Sequence, residues 1–228
     1  MTCERGGRVR YYPVFLRVEN RSCLVVGGGQ VGARKVQTLV DAGARVSLIS
    51  AELVPELEQR VRNGEVKLLG SRYESHHLQG CLLVIAATND NNLNKRIARD
   101  AEQRGVLCNV VDLPEHCSFI LPAFVQRGSL TLAVSTAGQS PALARKIRLE
   151  LEEKFGEEYG FFLELMGAVR QKLLAVSSDS AANKKTFEDL VNSELLQLVK
   201  RKEWRSVDAL LRSILGEQYS LKELEIDW

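Results

Sequence analysis

No uninterrupted apolar run in this sequence approaches the roughly 18 residues that a membrane-spanning helix needs. The first ten residues, MTCERGGRVR, carry charge and lack the apolar stretch of a secretory signal. A cytoplasmic protein with no membrane partner is the expectation. Strong charge of one sign is missing too: 31 Lys and Arg stand against 29 Asp and Glu, a net charge of +2. That excess is too small to argue for nucleic acid, although a local basic pocket for an acidic small molecule stays open. Cysteine is sparse and odd in number (Cys3, Cys23, Cys81, Cys108 and Cys117), so the five read as reduced core residues and not as a disulfide framework. Of three histidines, His76 and His77 are adjacent and His116 precedes Cys117. Neither cluster has a second at ligand spacing, so solvated loop histidines are expected and no metal site. G-x-S-x-G and a P-loop lysine are both lacking, which removes the usual hydrolase and kinase readings.

What is present is an ordinary globular composition, 45% hydrophobic and 26% charged over 228 residues, long enough for one or two domains. The most informative stretch is SCLVVGGGQVGARK, Ser22 to Lys35. Four residues suited to a buried strand run directly into Gly27-Gly28-Gly29-Gln30-Val31-Gly32, and a helix-favouring run follows. This is G-x-G-x-x-G between strand and helix. The first glycine permits a tight turn, the second lets the backbone approach a pyrophosphate, and the third lets helix pack on strand. Phosphates then meet free N–H groups at a helix N-terminus. A glycine-rich turn that binds nothing is the bland alternative.

Downstream, strands expected at 44–50, 66–69, 82–87 and 106–111 alternate with helices near 31–42, 52–62 and 92–104. That rhythm argues for a right-handed parallel α/β sheet. Residues 1 to 13 read as a loose leader, and Tyr11 to Arg17 as an edge strand or a segment packed beneath the sheet. After Asp112 the rhythm changes. Runs at 118–125 and 129–135 suggest a hairpin through Gln126-Arg127-Gly128. Ser140-Pro141 supplies an N-cap and N1 proline, and Leu143, Ile147, Leu151 and Phe155 follow at four-residue spacing. From Glu157 onward the pattern is helical, with a linker at 177–180, a helix near 184–200, another near 207–215, and a capping box at Ser220 and Glu223.

In an open α/β sheet the ligand lies beyond the C-terminal ends of the strands. The residues leaving those ends are Gly27 to Gly32, then Ser50-Ala51-Glu52, then Thr88-Asn89, then Asp112. Gly27, Gly29, Gln30, Val31, Gly32, Ser50, Ala51, Glu52, Thr88 and Asn89 are the candidate cofactor residues. Turn chemistry and N-caps explain Thr88, Asn89 and Asp112 equally well when each is taken alone. An acid normally ends the second strand to take the ribose 2′-OH of NAD, yet here that place is Ser50 and the nearest acid is Glu52. No arginine directly replaces the acid, so NADP is not clearly favoured. NAD is the expected cofactor.

The segments YYPVFLRVENRSCLVVGGGQVGARKV, LLVIAATND, CNVVD and SFILPAFVQRGSLTLAVSTAGQSPALARKIR together resemble the precorrin-2 dehydrogenase/sirohydrochlorin ferrochelatase family. The same region forms the N-terminal part of multifunctional siroheme synthases. The resemblance covers about residues 11 to 175, and its S-F-I-x-P and S-P-x-L-A-R-x-I-R segments are more specific than any glycine turn. It implies NAD-dependent oxidation of precorrin-2 to sirohydrochlorin, with Fe²⁺ or Co²⁺ insertion open as a second activity. It also implies a Rossmann domain over 1–113, a dimerisation segment over 114–155 whose strands pair across a homodimer, and a helical domain over 156–228. The tetrapyrrole is expected between the nicotinamide and the dimerisation segment. The family's carboxylate falls on Asp112, as a base or substrate-orienting group. Ser118, Arg127, Ser135, Thr136 and Arg145 are the expected substrate contacts, with Lys146 and Arg148 as further cations. Thr136 stands where some members carry serine, which removes the basis for regulation through that serine. No methyltransferase domain follows residue 228, so precorrin-2 is expected from elsewhere. A non-catalytic NAD-sensing module is the competing class; it would need no reactive group where Asp112 stands.

Overall fold

Apolar β-formers without interruption make strands that are covered on both faces. Strand β1 (Ser22–Val26) is of this kind: Leu24 and Val25 have no solvent exposure. Strand β4 (Leu83–Ala86) is buried at every position. These two lie side by side at the centre of a five-stranded parallel sheet, flanked by β2 (Arg45–Ile49) and β3 (Val66–Gly70) on one side and β5 (Leu107–Val110) on the other. The order β3-β2-β1-β4-β5 reverses direction between β1 and β4. That is the switch point at which ligands bind in such sheets.

This computed structural model describes residues 11–176 and 179–226. It divides between Leu121 and Pro122 into two compact units. The leader expected at the N-terminus lies outside the described residues as far as position 10, and the linker expected at 177–180 does so at 177 and 178. In the first unit, helices α1 (Gln30–Asp41) and α2 (Pro55–Arg62) cover one face of the sheet through Val36, Leu39 and Leu57. Helix α3 (Asn91–Gln103) covers the other through Ile97, Ala98 and Ala101, joined there by Tyr73 and Leu78 from the turn after β3. A leucine such as Leu24, packed on both sides, would cost about 2 to 5 kcal/mol to truncate to alanine. Residues 11–17 form no strand, and Tyr12, Val14, Phe15 and Leu16 are exposed.

The second unit begins with an antiparallel hairpin, β6 (Ala123–Arg127) and β7 (Leu130–Val134). The first of these strands starts five residues later than its apolar pattern suggests, because residues 114–119 are held against β5 instead. Helix α4 (Pro141–Lys154) packs on the hairpin and carries the expected Ser140 cap, whose Oγ accepts from the Leu143 N–H at 3.2 Å. Helices α5 (Glu158–Val176), α6 (Ser180–Asn192), α7 (Leu195–Arg201) and α8 (Trp204–Leu215) surround a separate core of Leu165, Val169, Leu190, Leu195, Leu198, Val207 and Leu211. The single helix expected near 184–200 is two. Its break is stabilised by Ser193, whose Oγ donates to the Leu190 carbonyl at 2.7 Å and accepts from the Leu195 N–H. The expected contact between Ser220 Oγ and the Glu223 N–H is made at 3.2 Å, within a 3-10 turn. Among the described residues no helix is long and apolar enough to cross a membrane.

Candidate functional site

The exits of β1, β2, β3 and β4 enclose a cleft of about 660 Å³. Its wall contains Gly27, Gly28, Gly29, Ser50, Ala51, Glu52, Thr88 and Asn89, so seven of the ten expected cofactor residues converge there. The other three, Gln30, Val31 and Gly32, form the first turn of α1. That turn has backbone N–H groups without acceptors inside the helix. Gly29, at the N-cap position, supplies no side-chain cap, and no acidic residue occupies the first turn.

The glycines explain themselves through what a Cβ would meet. At Gly27, which takes φ +119°, it would lie 2.3 Å from the Ala87 carbonyl oxygen. At Gly32 it would lie 2.1 Å from the Gly27 carbonyl, so helix and strand touch there with no room for a methyl group. Gly28 is the variable place of the motif, but here a Cβ would lie 2.2 Å from the Glu52 carbonyl. The loop after β2 is pinned down on it by a Val54 N–H to Gly28 carbonyl bond at 3.0 Å. Gly29 is the exception: nothing lies within 4 Å of its missing Cβ. Three of the glycines serve the fold, and the fourth leaves open space beside free N–H donors at a helix N-terminus. Those are the requirements of a pyrophosphate, and the residues present fit an NAD(P) dinucleotide.

The β4 exit is fixed by a residue that strand and turn patterns do not single out. Asn94, buried in the first turn of α3, donates from Nδ2 to the Thr88 carbonyl at 2.9 Å and accepts from Thr88 Oγ1 at 2.7 Å. Asp90 caps the same helix through the Asn92 and Leu93 N–H groups. An asparagine in the first turn after the Asp90 cap is the signal the sequence offers. The cleft also takes in Leu53, Val54, Ser71, Arg72, Tyr73, Leu93 and Arg96. The β3 exit, 70–73, is missed from sequence because edge strands are seldom assigned a ligand role. Tyr73 closes the wall there: its hydroxyl donates to Asp100 Oδ2 at 3.1 Å, and burial followed by the Asp100 charge raises its pKa above the ordinary tyrosine value.

Asp112 follows β5. It is exposed, and its carboxylate makes no hydrogen bond or ion pair among the described residues. It occupies the third position of a turn in which the Leu113 N–H reaches the Val110 carbonyl at 3.4 Å, and it takes φ +63°. That left-handed conformation favours glycine and is better tolerated by asparagine and aspartate than by other residues, for which it costs about 1 to 2 kcal/mol. The neighbouring chain holds the turn in place. Cys117 Sγ accepts from the Val110 N–H at 3.1 Å, Ser118 Oγ accepts from the Cys108 N–H at 2.7 Å, and Asn109 Nδ2 donates to the Phe119 carbonyl at 3.1 Å. Ser118 therefore spends its hydroxyl on the backbone of β5.

The remaining expected substrate residues lie in the second unit. Arg127 Nε donates to the Phe155 carbonyl at 3.0 Å and Nη2 to the Glu152 carbonyl at 3.3 Å, with Glu157 Oε1 3.2 Å from Nε. These bonds tie the hairpin to the end of α4. Ser135 Oγ accepts from the Ala137 N–H, and Thr136 Oγ1 accepts from the Ser140 N–H at 3.1 Å. Arg145 is exposed on α4; Arg148 pairs with Glu152 and Lys146 Nζ lies 3.8 Å from Glu150. His76 and His77 sit in a 3-10 turn beside Glu74, and no cluster of three His, Cys, Asp or Glu side chains suited to a metal occurs among the described residues.

Strand order, glycine turn and open cleft define the first unit as a dinucleotide-binding domain of the Rossmann type. A family model described as "Putative NAD(P)-binding" matches residues 14–123, and one described as "Sirohaem biosynthesis protein central" matches residues 127–154. The siroheme synthase of Methylobacillus flagellatus is 38% identical over 188 residues, covering 81% of this chain and 40% of that protein. Siroheme synthase 1 of Serratia proteamaculans is 41% identical over 181 residues, covering 78% and 38%. The chain is similar to these siroheme synthases and spans about two fifths of their length. Among solved structures, SirC, precorrin-2 dehydrogenase, superposes with a TM-score of 0.72 at 23% identity, over 87% of this chain and 100% of that one. That likeness shows a shared fold.

Proposed function

We propose that the chain oxidises precorrin-2 to sirohydrochlorin in the cytoplasm, with NAD as the oxidant. The observation that carries this reading is the open cradle at Gly29, with a free carboxylate, Asp112, at another strand exit of the same sheet. Bound NAD supplies a hydride acceptor. The turn from Gly27 to Gly32 would hold its pyrophosphate, and Ser50–Glu52 and Thr88-Asn89 would line its two ends. Loss of a hydride and a proton extends the conjugation of the tetrapyrrole. Asp112 is suited to take that proton or to orient the ring, because no partner among the described residues competes for its oxygens. A sensor needs no such carboxylate in a strained conformation.

In this reading Ser118, Arg127, Ser135, Thr136 and Arg145 contribute to the tetrapyrrole site, partly through the backbone they order. The functional parts are 1–113, 114–155 and 156–228, and the middle part dimerises. Two features support a homodimer: a two-stranded sheet is marginal alone, and Phe124, Leu143 and Leu149 in that part are exposed. Within the same reading, Asp112 would also serve insertion of Fe²⁺ or Co²⁺ by removing pyrrole N–H protons.

Anaerobic incubation with precorrin-2 and NAD tests the proposal by the appearance of NADH. Turnover is expected in the parent and its loss in Asp112→Asn. No turnover in a chain that binds NAD would favour the sensor. Metal insertion is read separately with sirohydrochlorin and Fe²⁺, where a rate equal to the protein-free control excludes it. Light scattering that gives a mass near 25.4 kDa would refute the dimer.

A further inference from the structure

Residues 11–17, Tyr-Tyr-Pro-Val-Phe-Leu-Arg, run without secondary structure and join neither sheet of their own chain. Among the described residues their main-chain N–H and C=O groups make no main-chain hydrogen bond. Tyr12 is 87% exposed, Phe15 75% and Val14 68%. An apolar segment with an open main chain is a template for pairing with another strand. Pro13 fixes which side can pair. Successive residues of an extended chain turn their main-chain groups to opposite sides, and a proline belongs on the side that faces solvent. The pairing side is therefore that of Tyr12, Val14 and Leu16.

The second unit holds the complementary half. Its hairpin closes through Gly128-Ser129 with Arg127 opposite Leu130, so ladder bonds fall on that pair, on Val125 with Leu132 and on Ala123 with Val134. Thr131 and Ala133 of β7 consequently turn their main-chain groups outward, and no bond from beyond the hairpin reaches those groups among the described residues. The matching edge of β6 is partly taken, because the Gln126 carbonyl accepts from Arg127 Nη1 at 3.0 Å. A strand laid along β7 with Val14 beside Ala133 would extend the exposed row of Ala133 and Phe124. Phe15 would then fall on the face of Leu132 and Val134, which are half-buried.

Resting on the homodimer reading above, we infer that residues 11–17 of each copy dock as a third strand on the outer edge of β7 of a second copy. Area favours a second copy as the occupant. Tyr12, Val14, Phe15 and Leu16 present about 500 Å² of surface, at roughly 150 to 250 Å² for each aromatic ring. Exchange across a two-fold axis is reciprocal, so two strands and two edges together remove about 2,000 Å² from water, in the range of a stable dimer. The two-stranded sheet, marginal alone, becomes three-stranded in each copy.

Sedimentation of the full chain, with Val14→Pro and Arg17→Pro as variants, tests this. Val14→Pro removes a ladder donor and should raise the dimer dissociation constant at least about tenfold, whereas Arg17→Pro alters the solvent side and should change it less than about threefold. Circular dichroism establishes that both are folded. A milder pair of variants locates the contact. In a mixture of Val14→Cys and Ala133→Cys chains carrying different tags, a short bismaleimide should link position 14 of one chain to position 133 of the other. A monomeric parent would overturn the inference together with the homodimer reading. A dimer whose dissociation constant Val14→Pro leaves unchanged would overturn the inference and leave the homodimer standing. So would links only from 133 to 133 or from 14 to 14, or no link between the two kinds of chain.

Discussion

Gly29→Ala and Gly32→Ala differ by a methyl group at positions three residues apart, and they should fail in opposite ways. At Gly32 the new Cβ would stand 2.1 Å from the Gly27 carbonyl oxygen, more than 1 Å inside ordinary contact, and neither atom can move without its backbone. Helix α1 must move off β1, an overpacking cost of about 1 to 3 kcal/mol. For a chain of this size that lowers the melting temperature by about 3 to 10 °C. At Gly29 the Cβ would meet nothing within 4 Å, and its backbone, φ −80° and ψ −176°, is open to any residue. Alanine is a poorer N-cap but also restricts the unfolded chain, so the net stability change stays below about 1 kcal/mol. The methyl group would instead fill the space that a pyrophosphate approaches, and nucleotide affinity should fall by at least about tenfold, or 1.4 kcal/mol. Thermal melts without ligand and titration calorimetry with NAD separate the two quantities. A destabilised Gly29→Ala with normal affinity, or a stable Gly32→Ala, would refute the division of labour assigned to this turn.

Three further outcomes follow from the same geometry. Among Asp112→Gly, Asp112→Asn and Asp112→Ala, all should lose turnover, while stability should be highest for glycine and lowest for alanine, with a spread of about 1 to 2 kcal/mol set by the positive φ; urea melts that place alanine above glycine would contradict the strain. Asn94→Ala should cost about 1 to 3 kcal/mol by leaving the Thr88 carbonyl without its partner, and the KM for NAD should rise more than kcat falls; an unchanged KM would remove Asn94 as a positioning residue. Burial, and secondarily Cys117, pushes the Cys108 thiol from 9.0 up to about 12. The folded state thus favours the protonated thiol. Its contribution is complete below pH 9.0 and is lost as pH rises towards about 12. Denaturant melts across that range should show a shallower loss in Cys108→Ala than in the parent; equal slopes would exclude Cys108 as the source.

The elements that sequence exposes are those whose pattern is local. The unbroken apolar strand at Leu83–Ala86, the glycine turn and the Ser140-Pro141 helix start all depend on neighbours a few residues away, and the structure has each of them. The glycine motif also identifies its own ligand class. Features set by distant partners are not legible in this way. The run at 118–125 has strand composition throughout. Its first residues are diverted because Ser118 and Cys117 find backbone partners on β5, ten and seven residues back. Arg127 carries the charge that suits a carboxylated substrate, yet the end of α4, more than twenty residues away, supplies carbonyls to its Nε and Nη2. Gly28 matches no motif position, and its requirement for glycine comes from the loop after β2 folding over it.

The strand exits that build the site are held by different kinds of bond, and this bears on how the two ends can vary. At β1 and β2 the contacts are mostly backbone to backbone, with Val54 N–H to the Gly28 carbonyl, Ser50 N–H to the Gly70 carbonyl and close-packed glycines against carbonyl oxygens. The one side-chain bond there among the described residues runs from Ser50 Oγ to the Glu52 carbonyl at 2.7 Å. Backbone contacts tolerate any side chain that leaves the glycines in place, so side chains at that end can vary without disturbing the cradle. At β4 and β5 the exits hang on named side chains: Asn94 on Thr88, and Cys117, Ser118 and Asn109 around the turn that bears Asp112. Replacing any of these leaves a backbone group unpaired, at about 1 to 3 kcal/mol each where the group is buried. The end that carries the carboxylate is therefore the more constrained of the two, and random substitution of this chain should alter cofactor preference more readily than it moves Asp112.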